Sequence, residues 1–208
     1  MKNIVLASGN AGKIRELSAI LQSHTAGIGV LGLDDFPDIG AIAETGTTFE
    51  DNARIKAKTV AQATGLVAIA DDSGLSVDAL DGAPGIHSAR YSGANATDEK
   101  NIVKLLEAMR EVPDCSRGCS FICVMVAMTP DGHELIARGE WRGQVTRVPV
   151  GQQGFGYDPI FFDEELGITA AQMEAAIKNA RSHRGKAVQE LLHGWPEFWA
   201  LALQELKG

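Results

Sequence analysis

The sequence predicts an α/β fold with a mixed β-sheet. In the first half of the chain, short apolar runs with the length of strands alternate with amphipathic segments that have the spacing of helices. A strand–turn–strand pattern follows in the second half. Alternating strands and helices favour parallel strands, whereas a hairpin adds antiparallel ones. No repeat, low-complexity tract or linker interrupts the 208 residues, so we expect a single domain over residues 1–208.

The first half ends in a pair of adjacent carboxylates. Its predicted elements are a strand over 2–7, a helix capped by Asn10, a weak strand at Val30 and Leu31, and a helix from Thr47 or Thr48 to about residue 63. The apolar run 66–70 follows and lies between Gly65 and Gly74, which predicts a buried strand that ends at Asp71 and Asp72. Neighbouring carboxylates repel each other, and a hard divalent cation is their usual partner.

The second half begins with a helix capped by Thr97. A strand over 118–128 is predicted to pair, through a turn at 130–132, with a strand from His133 to about Trp141. A glycine-rich loop, a short strand over 160–162 and a helix over roughly 170–180 come next. We expect two further helices, separated near Pro196, because proline suits the first position of a new helix.

Composition and charge exclude several classes of protein. The 45% hydrophobic and 22% charged residues are typical of a soluble globular protein, and no apolar stretch is long enough to span a membrane. The N-terminus lacks the pattern of a signal peptide, so a cytoplasmic location is expected. A formal charge of −8 argues against a nucleic-acid partner held by a broad basic face. A phosphorylated small molecule remains compatible, because local lysines and a metal can reverse the sign of the charge inside a cleft.

The three cysteines favour burial over metal binding. Cys119 and Cys123 occupy alternate positions of a predicted strand, so we expect them to be buried. Cys115 lies four residues before Cys119, and this spacing is not usual for zinc.

The turn after the first predicted strand has the composition of a phosphate-binding site. Its residues are Ser8, Gly9, Asn10, Ala11, Gly12 and Lys13. Small residues let backbone N–H groups approach a phosphate, and the start of a helix adds a favourable dipole. Helix stability does not explain a cation in the first turn of that helix. The spacing is not that of a P-loop, and a plain helix start remains an alternative.

Two further segments carry candidate site residues. Asn52 and Lys56 lie four apart on one face of the second predicted helix, which we interpret as a solvated face. Phe155 and Tyr157 lie among glycines in a loop, where exposed aromatic rings are costly unless they pack on something such as a nucleobase. Ser182 would cap a helix that starts with His183 and Arg184, and cations there are unfavourable unless they face an anion or an acceptor.

Together these patterns resemble the Ham1-like inosine/xanthosine triphosphate pyrophosphatases over nearly the whole chain. The matching motifs are 8–13, 44–46 with 49–56, 70–75, 82–91, 154–161, Lys178 and 182–187. The resemblance implies an elongated mixed α/β fold with two lobes around a central substrate cleft, and a homodimer. It also implies Mg²⁺-dependent hydrolysis of purine nucleoside triphosphates with a wrong base (ITP, dITP and XTP) to the monophosphate and pyrophosphate, which cleanses the nucleotide pool.

The resemblance also implies catalytic roles. Asp72 would be the catalytic base and a metal ligand, and Glu44 and Asp71 would belong to the same acidic metal-binding group. Lys13 and Lys56 would stabilise charge on the departing pyrophosphate, as positioned cations do.

Substrate contacts follow from the resemblance in the same way. The residues 8–13 would hold the triphosphate, with Ser73 as a further contact. The base and sugar would be held by a set from the C-terminal third of the chain: Phe155, Gly156, Tyr157, Asp158, Lys178, His183 and Arg184.

Two positions depart from the family pattern. Asp51 stands where the family usually has Glu, which matters if that carboxylate orients the metal or Lys56 and does not matter if it only caps the helix. Arg181 stands where an apolar residue is usual, which concerns local packing more than chemistry.

Two rival interpretations remain at this stage. A Maf-like nucleotide pyrophosphatase of other base specificity would share the general architecture. A nucleotide-binding protein without turnover would need no base beside the α-phosphate, so the presence of Asp71 and Asp72 with Lys13 and Lys56 weighs against it.

Overall fold

A seven-stranded mixed sheet runs through the part of the chain that the structure describes, in the order β2-β1-β3-β4-β5-β6-β7. The computed structural model describes residues 2–8 and 11–205, and of residues 2, 11–13, 15, 16 and 205 only the backbone. The strands are β1 (Lys2–Leu6), β2 (Ile28–Gly32), β3 (Val67–Val77), β4 (Gly118–Met128), β5 (Glu134–Val145), β6 (Phe161–Asp163) and β7 (Ile168–Thr169). The helices are α1 (Ala11–His24), α2 (Phe49–Thr64), α3 (Asp98–Ala108), α4 (Ala175–Arg181) and α5 (His183–Glu205).

Strand directions confirm the predicted α/β class with a mixed sheet. β1 runs parallel to both β2 and β3, as strands connected through helices do. β6 runs antiparallel to both β5 and β7. None of the helices in the described residues combines the length and the apolar character needed to cross a membrane.

Two compact units divide the chain. The first comprises residues 1–72, 124–138 and 187–208, and includes β1, β2, α1 and α2. The second comprises residues 73–123 and 139–186, and its core is rich in aromatic side chains. There the ring centroid of Phe161 lies 4.7 Å from that of Phe121 and 4.6 Å from that of Trp141, within the range of favourable aromatic pairs.

The predicted end of β3 at Asp71 and Asp72 is wrong. The strand continues to Val77, so both carboxylates lie within it. Gly74 does not break the strand, because its role is close packing: a Cβ at this position would lie 2.6 Å from the carbonyl oxygen of Gly85. A glycine selected for a close approach looks the same in a sequence as one that marks a turn.

Two further boundaries differ from the prediction because local patterns conceal them. β5 runs on to Val145, since glycines at 139 and 143 occupy inward positions and hide the alternation of apolar residues. The helix expected over 170–180 is a short 3₁₀ turn at Ala170–Gln172 followed by α4. Met173 between them is extended and 2% exposed, so its burial interrupts the helix.

The prediction of two helices around Pro196 is also wrong, because α5 continues through this proline. A proline removes one backbone hydrogen bond and normally kinks or breaks a helix. Here a stripe of buried side chains with helical spacing extends across it, at Leu191, Trp195, Phe198 and Ala202. Burial of this stripe outweighs the lost hydrogen bond.

Candidate active site

The carboxyl end of β1 leads towards the acidic residues of β3. Leu6, the last residue of β1, pairs with Ile69, and the N–H of Ala7 donates to the Ile69 carbonyl over 2.8 Å. Asp71 and Asp72 lie two and three residues further along β3, beyond the end of the paired segment of β1. This is the edge of a parallel sheet at which ligands bind in α/β proteins.

The predicted phosphate-binding turn starts at this edge with Ser8. Gly9 and Asn10 lie outside the described residues, and of residues 11–13 only the backbone is described. The roles predicted for these residues therefore stay predictions. The same holds for Ser73, which directly follows Asp72 in β3.

A capping box fixes the start of α2. The hydroxyl oxygen of Thr48 accepts from the N–H of Asp51 over 3.0 Å, and the Asp51 carboxylate accepts from the N–H of Thr48 over 3.1 Å. The hydrogen bond with the Thr48 side chain is the largest cause of the lowered pKa of Asp51. Asp51 thus serves as a helix cap, and its carboxylate accepts hydrogen bonds from Thr47 and Thr48 at the start of α2.

The ammonium group of Lys56 contacts three acidic residues, Glu44, Asp71 and Asp72, which we call the acidic group. It lies 3.0 Å from the Glu44 carboxylate and 3.5 Å from that of Asp72, and it donates to the main-chain oxygen of Asp71 over 2.6 Å. The Lys56 and Asp72 side chains are only 14% and 13% exposed. A partly desolvated site makes these charge interactions stronger than they would be at the surface.

Asn52 belongs to this site, and the prediction of a solvated face is wrong. Its side chain donates to the Asp72 carboxylate over 3.2 Å, and the residue is 0% exposed. The helical spacing of Asn52 and Lys56 was the available signal, since it places both on one face of α2. Only the contact with a distant strand identifies that face as buried.

Burial raises the pKa of Asp72 above its ordinary value. The nearby ammonium of Lys56 and the hydrogen bond from Asn52 lower it, and the neighbouring Glu44 raises it further, but burial dominates. A carboxylate with a raised pKa is a better proton acceptor than one at the surface, which suits a general base.

The donor set of the acidic group fits a hard divalent cation. The carboxylates of Glu44 and Asp72 already approach one positive charge, the ammonium of Lys56. Mg²⁺ is commonly held by one or two carboxylates, with the substrate's phosphates and water completing its shell. Across residues 2–8 and 11–205, no three side chains of His, Cys, Asp or Glu converge as a complete metal-binding group. A cation here would therefore take part of its coordination from water, or from the phosphates of a bound substrate.

The aromatic loop (residues 154–158) presents the ring of Phe155, which is 63% exposed. The buried carboxylate of Asp158 accepts from the N–H of Phe155 over 2.8 Å and pairs with the ammonium of Lys178. Gly154 has φ +81°, and a Cβ there would collide with the Asp158 carboxylate. The loop is therefore built around Asp158, and only Phe155 projects from it.

Two hydrogen bonds with residues outside the loop also hold the aromatic loop in place. The hydroxyl of Tyr157 donates to the carbonyl oxygen of Ser88 over 2.9 Å, and the Asp98 carboxylate accepts from the N–H of Gly156 over 2.6 Å. Burial raises the pKa of Tyr157, so its hydroxyl remains a donor. Tyr157 and Asp158 are each 4% exposed. Their contacts support the loop, and their predicted contact with substrate stays a prediction.

Two cationic side chains lie near the Phe155 ring. The Lys178 ammonium lies 5.0 Å from the ring centroid and the Arg184 guanidinium 5.8 Å, both within cation–π range. Ser182 caps α5 as predicted, since its hydroxyl accepts from the N–H of Gly185 over 3.1 Å. His183 stacks on Phe121, with centroids 4.8 Å apart.

Arg181, the second departure from the family pattern, has a clear partner. Its guanidinium pairs with the carboxylate of Asp163 over 3.0 Å and also contacts Glu165. The side chain of Asp163 is 2% exposed and accepts a further hydrogen bond from the indole of Trp141 over 2.9 Å. An ion pair therefore holds the end of α4.

Comparison with known proteins places these residues in a family. A model described as the Ham1 family matches residues 4–194. Two relatives named dITP/XTP pyrophosphatase, from Nitratidesulfovibrio vulgaris and Escherichia coli K12, are 52% and 50% identical to this chain. The matches cover 94% and 92% of this chain, and 97% of each relative. A solved structure of a HAM1 protein from Coxiella burnetii is similar with a TM-score of 0.89 at 44% identity, over 95% of this chain and 100% of that one. The chain belongs to the Ham1 family.

Proposed function

We propose that this protein hydrolyses ITP, dITP and XTP to the nucleoside monophosphate and pyrophosphate. The observation that carries the proposal is that Lys56 contacts the carboxylates of both Glu44 and Asp72, and that Asn52 donates to Asp72. Such a group combines a base with fixed charges, as phosphoryl-transfer chemistry requires. The names of the relatives supply the substrates. We infer likewise that residues 1–208 work as one catalytic domain.

The proposed reaction is attack of water on the α-phosphorus with departure of pyrophosphate. Asp72, whose pKa is raised by burial, accepts the proton of the attacking water. Lys56 stabilises the negative charge that develops on the leaving group, and Lys13 is predicted to do the same. Asp71 contributes its main-chain oxygen to the position of Lys56.

We propose Mg²⁺ as the cofactor, held by Glu44 and Asp72 together with the substrate's phosphates. When bound, it would offset the charge of the triphosphate and polarise its phosphoryl oxygens. The support for this part is the hard-oxygen donor set of the acidic group.

The purine would be recognised at the aromatic loop. Phe155 offers an exposed ring for stacking, with the cations of Lys178 and Arg184 close to it. The keto oxygen at C6 of hypoxanthine or xanthine needs a donor, and the N–H groups of Phe155 and Gly156 already donate to carboxylates. The side chains of Arg184 and His183 are therefore the candidate donors. Adenine, with an amino group at C6, would leave them unpaired at about 1–3 kcal/mol per group.

We also propose how the protein assembles and where it is located. We propose a homodimer on the basis of the family resemblance, and sedimentation equilibrium tests it. A cytoplasmic location is supported by cysteines that carry no disulfide, as expected in a reducing compartment.

Pyrophosphate release from ITP, dITP and XTP with added Mg²⁺ tests the function. We expect turnover of all three and much lower kcat/KM for dATP. Preference for a pyrimidine or modified nucleotide would favour the Maf-like interpretation. Tight binding of ITP without pyrophosphate release would favour a binding protein.

A further inference from the structure

Asn52 uses both ends of its side-chain amide. Its Oδ1 accepts from the N–H of Gly46 over 2.8 Å, and its Nδ2 donates to the Asp72 carboxylate over 3.2 Å. Gly46 lies two residues after Glu44, so this one side chain connects the segment that carries Glu44 to the carboxylate of Asp72. The residue is 0% exposed, so its side-chain amide is shielded from solvent.

The orientation of the amide is fixed by its partners. A backbone N–H can only donate, so the group that faces Gly46 must be the oxygen of Asn52. The NH₂ group is then directed at Asp72, where an ionised carboxylate can only accept. No other side chain of this size offers an acceptor and a donor in this arrangement.

Gly46 allows the close approach that this arrangement needs. A Cβ at residue 46 would lie 2.8 Å from Oδ1 of Asn52 and 3.0 Å from its backbone nitrogen. A larger residue would push the segment away from α2, and Glu44 with it. The positions of Glu44 and Asp72 thus depend on one helix position.

We propose that Asn52 is a positioning residue that sets the geometry of the Glu44 and Asp72 carboxylates for a divalent cation. This inference rests on the proposed function, because it deepens the role of the acidic group. Asn52 holds the Asp72 oxygen that faces it and leaves the other oxygen on the side of Lys56. Hydrogen bonds to ligating carboxylates of this kind orient the ligands of a metal and tune its affinity.

The chain contains a matched control for this role. Asn101 follows the helix cap Thr97 by four residues, as Asn52 follows Thr48. It is 3% exposed, and its amide accepts from the N–H of Ser92 over 2.8 Å and donates to main-chain oxygens. It therefore reproduces the burial and hydrogen bonding of Asn52 without a carboxylate partner.

The test compares Asn52→Ala, Asn52→Ser and Asn101→Ala in the full-length protein. Mg²⁺ affinity is measured by calorimetry without nucleotide, and the Mg²⁺ dependence of pyrophosphate release from ITP is measured separately. We expect both Asn52 variants to bind Mg²⁺ about 10- to 100-fold more weakly. We also expect their kcat to recover largely at saturating Mg²⁺, because the ligands themselves remain. Asn101→Ala should lose stability but keep the wild-type Mg²⁺ affinity.

Several outcomes would overturn the inference. Unchanged Mg²⁺ affinity in the Asn52 variants, or an equal loss in Asn101→Ala, would leave Asn52 with a structural role only. Failure of both Asn52 variants to fold while Asn101→Ala folds would have the same meaning. The proposed function fails separately, if the wild-type protein binds Mg²⁺ but releases no pyrophosphate from ITP.

Discussion

The acidic group and the aromatic loop differ in how they present their key side chains. The Asp72 side chain is 13% exposed and lies against Asn52 and Lys56, whereas Phe155 is 63% exposed and projects from its loop. Charged groups gain strength from a partly desolvated site, but a stacking ring must expose its face to receive a base. Chemistry and recognition thus place opposite demands on burial, and we expect substitutions in the two regions to affect different kinetic constants.

The largest effect is expected from Asp72→Asn. This change removes the proton acceptor but keeps the size of the side chain, so kcat should fall by roughly a hundredfold or more. KM should change much less. Steady-state kinetics of pyrophosphate release from dITP measure this, with circular dichroism to verify folding. A near-normal kcat would show that Asp72 is not the catalytic base. The contrast between a catalytic region and a recognition region would then fail.

The next largest effect is expected from Phe155→Ala. Stacking of a base on an aromatic ring is worth about 1–3 kcal/mol, so kcat/KM for dITP should fall by roughly 5- to 150-fold. The loss should come mainly from KM, since the acidic group is intact.

Ile177→Ala is the control for Phe155→Ala. Ile177 is an exposed apolar residue of α4 beside Lys178 and has no proposed contact with substrate. We expect wild-type constants for it. A fall in kcat without a change in KM for Phe155→Ala would contradict the division between chemistry and recognition.

A smaller effect is expected on stability at the end of α4. Burial raises the pKa of Asp163, but hydrogen bonds from the N–H of Leu166, from Trp141 and from Arg181 outweigh it, so the pKa is lowered. A carboxylate whose pKa is lowered in the folded state stabilises the fold when the pH is above its unfolded-state pKa. This stabilisation is lost as the pH falls through the folded-state pKa. Arg181→Ala should therefore lower Tm by a few degrees near neutral pH, and by less in acid.

Thermal unfolding of the wild type and Arg181→Ala between pH 7 and pH 2 measures this difference, because the lowered pKa of Asp163 places the loss at acid pH. Arg110→Ala is a suitable control, because Arg110 forms an ion pair with Glu107 at the surface, where such pairs contribute little to stability. A constant deficit in Tm across the pH range would show that Arg181 acts through packing and not through its charge.

The smallest effect is expected on the stability of Asp72→Asn. Because burial raises the pKa of Asp72, the ionised form weakens the fold once the pH exceeds the folded-state pKa. Below the unfolded-state pKa, both states bind the proton and no cost remains. The variant should therefore unfold at a higher urea concentration than the wild type near pH 7, and the gain should vanish in acid. A variant less stable than the wild type near pH 7 would contradict this.

The sequence predicted features that depend on residues close together in the chain. The caps at Thr48 and Thr97 are confirmed, because each involves a side chain and an N–H three residues away. Asn52 was misassigned because its partner Asp72 is twenty residues distant. The prediction of a helix break at Pro196 was wrong for a related reason, since the burial that keeps α5 intact comes from tertiary packing. Local sequence signals therefore identify helices and strands. Which face of a helix is buried depends on contacts with residues distant in the chain.

The cysteines give the protein a built-in reporter of unfolding. Cys115 is exposed, whereas Cys119 and Cys123 are buried, and burial raises the pKa of Cys119 to about 12. A maleimide reacts with thiolates that it can reach, so the native protein should accept one label and the unfolded protein three. Mass spectrometry of labelled chains would then follow opening of the strand that carries the two buried thiols, without any engineered probe.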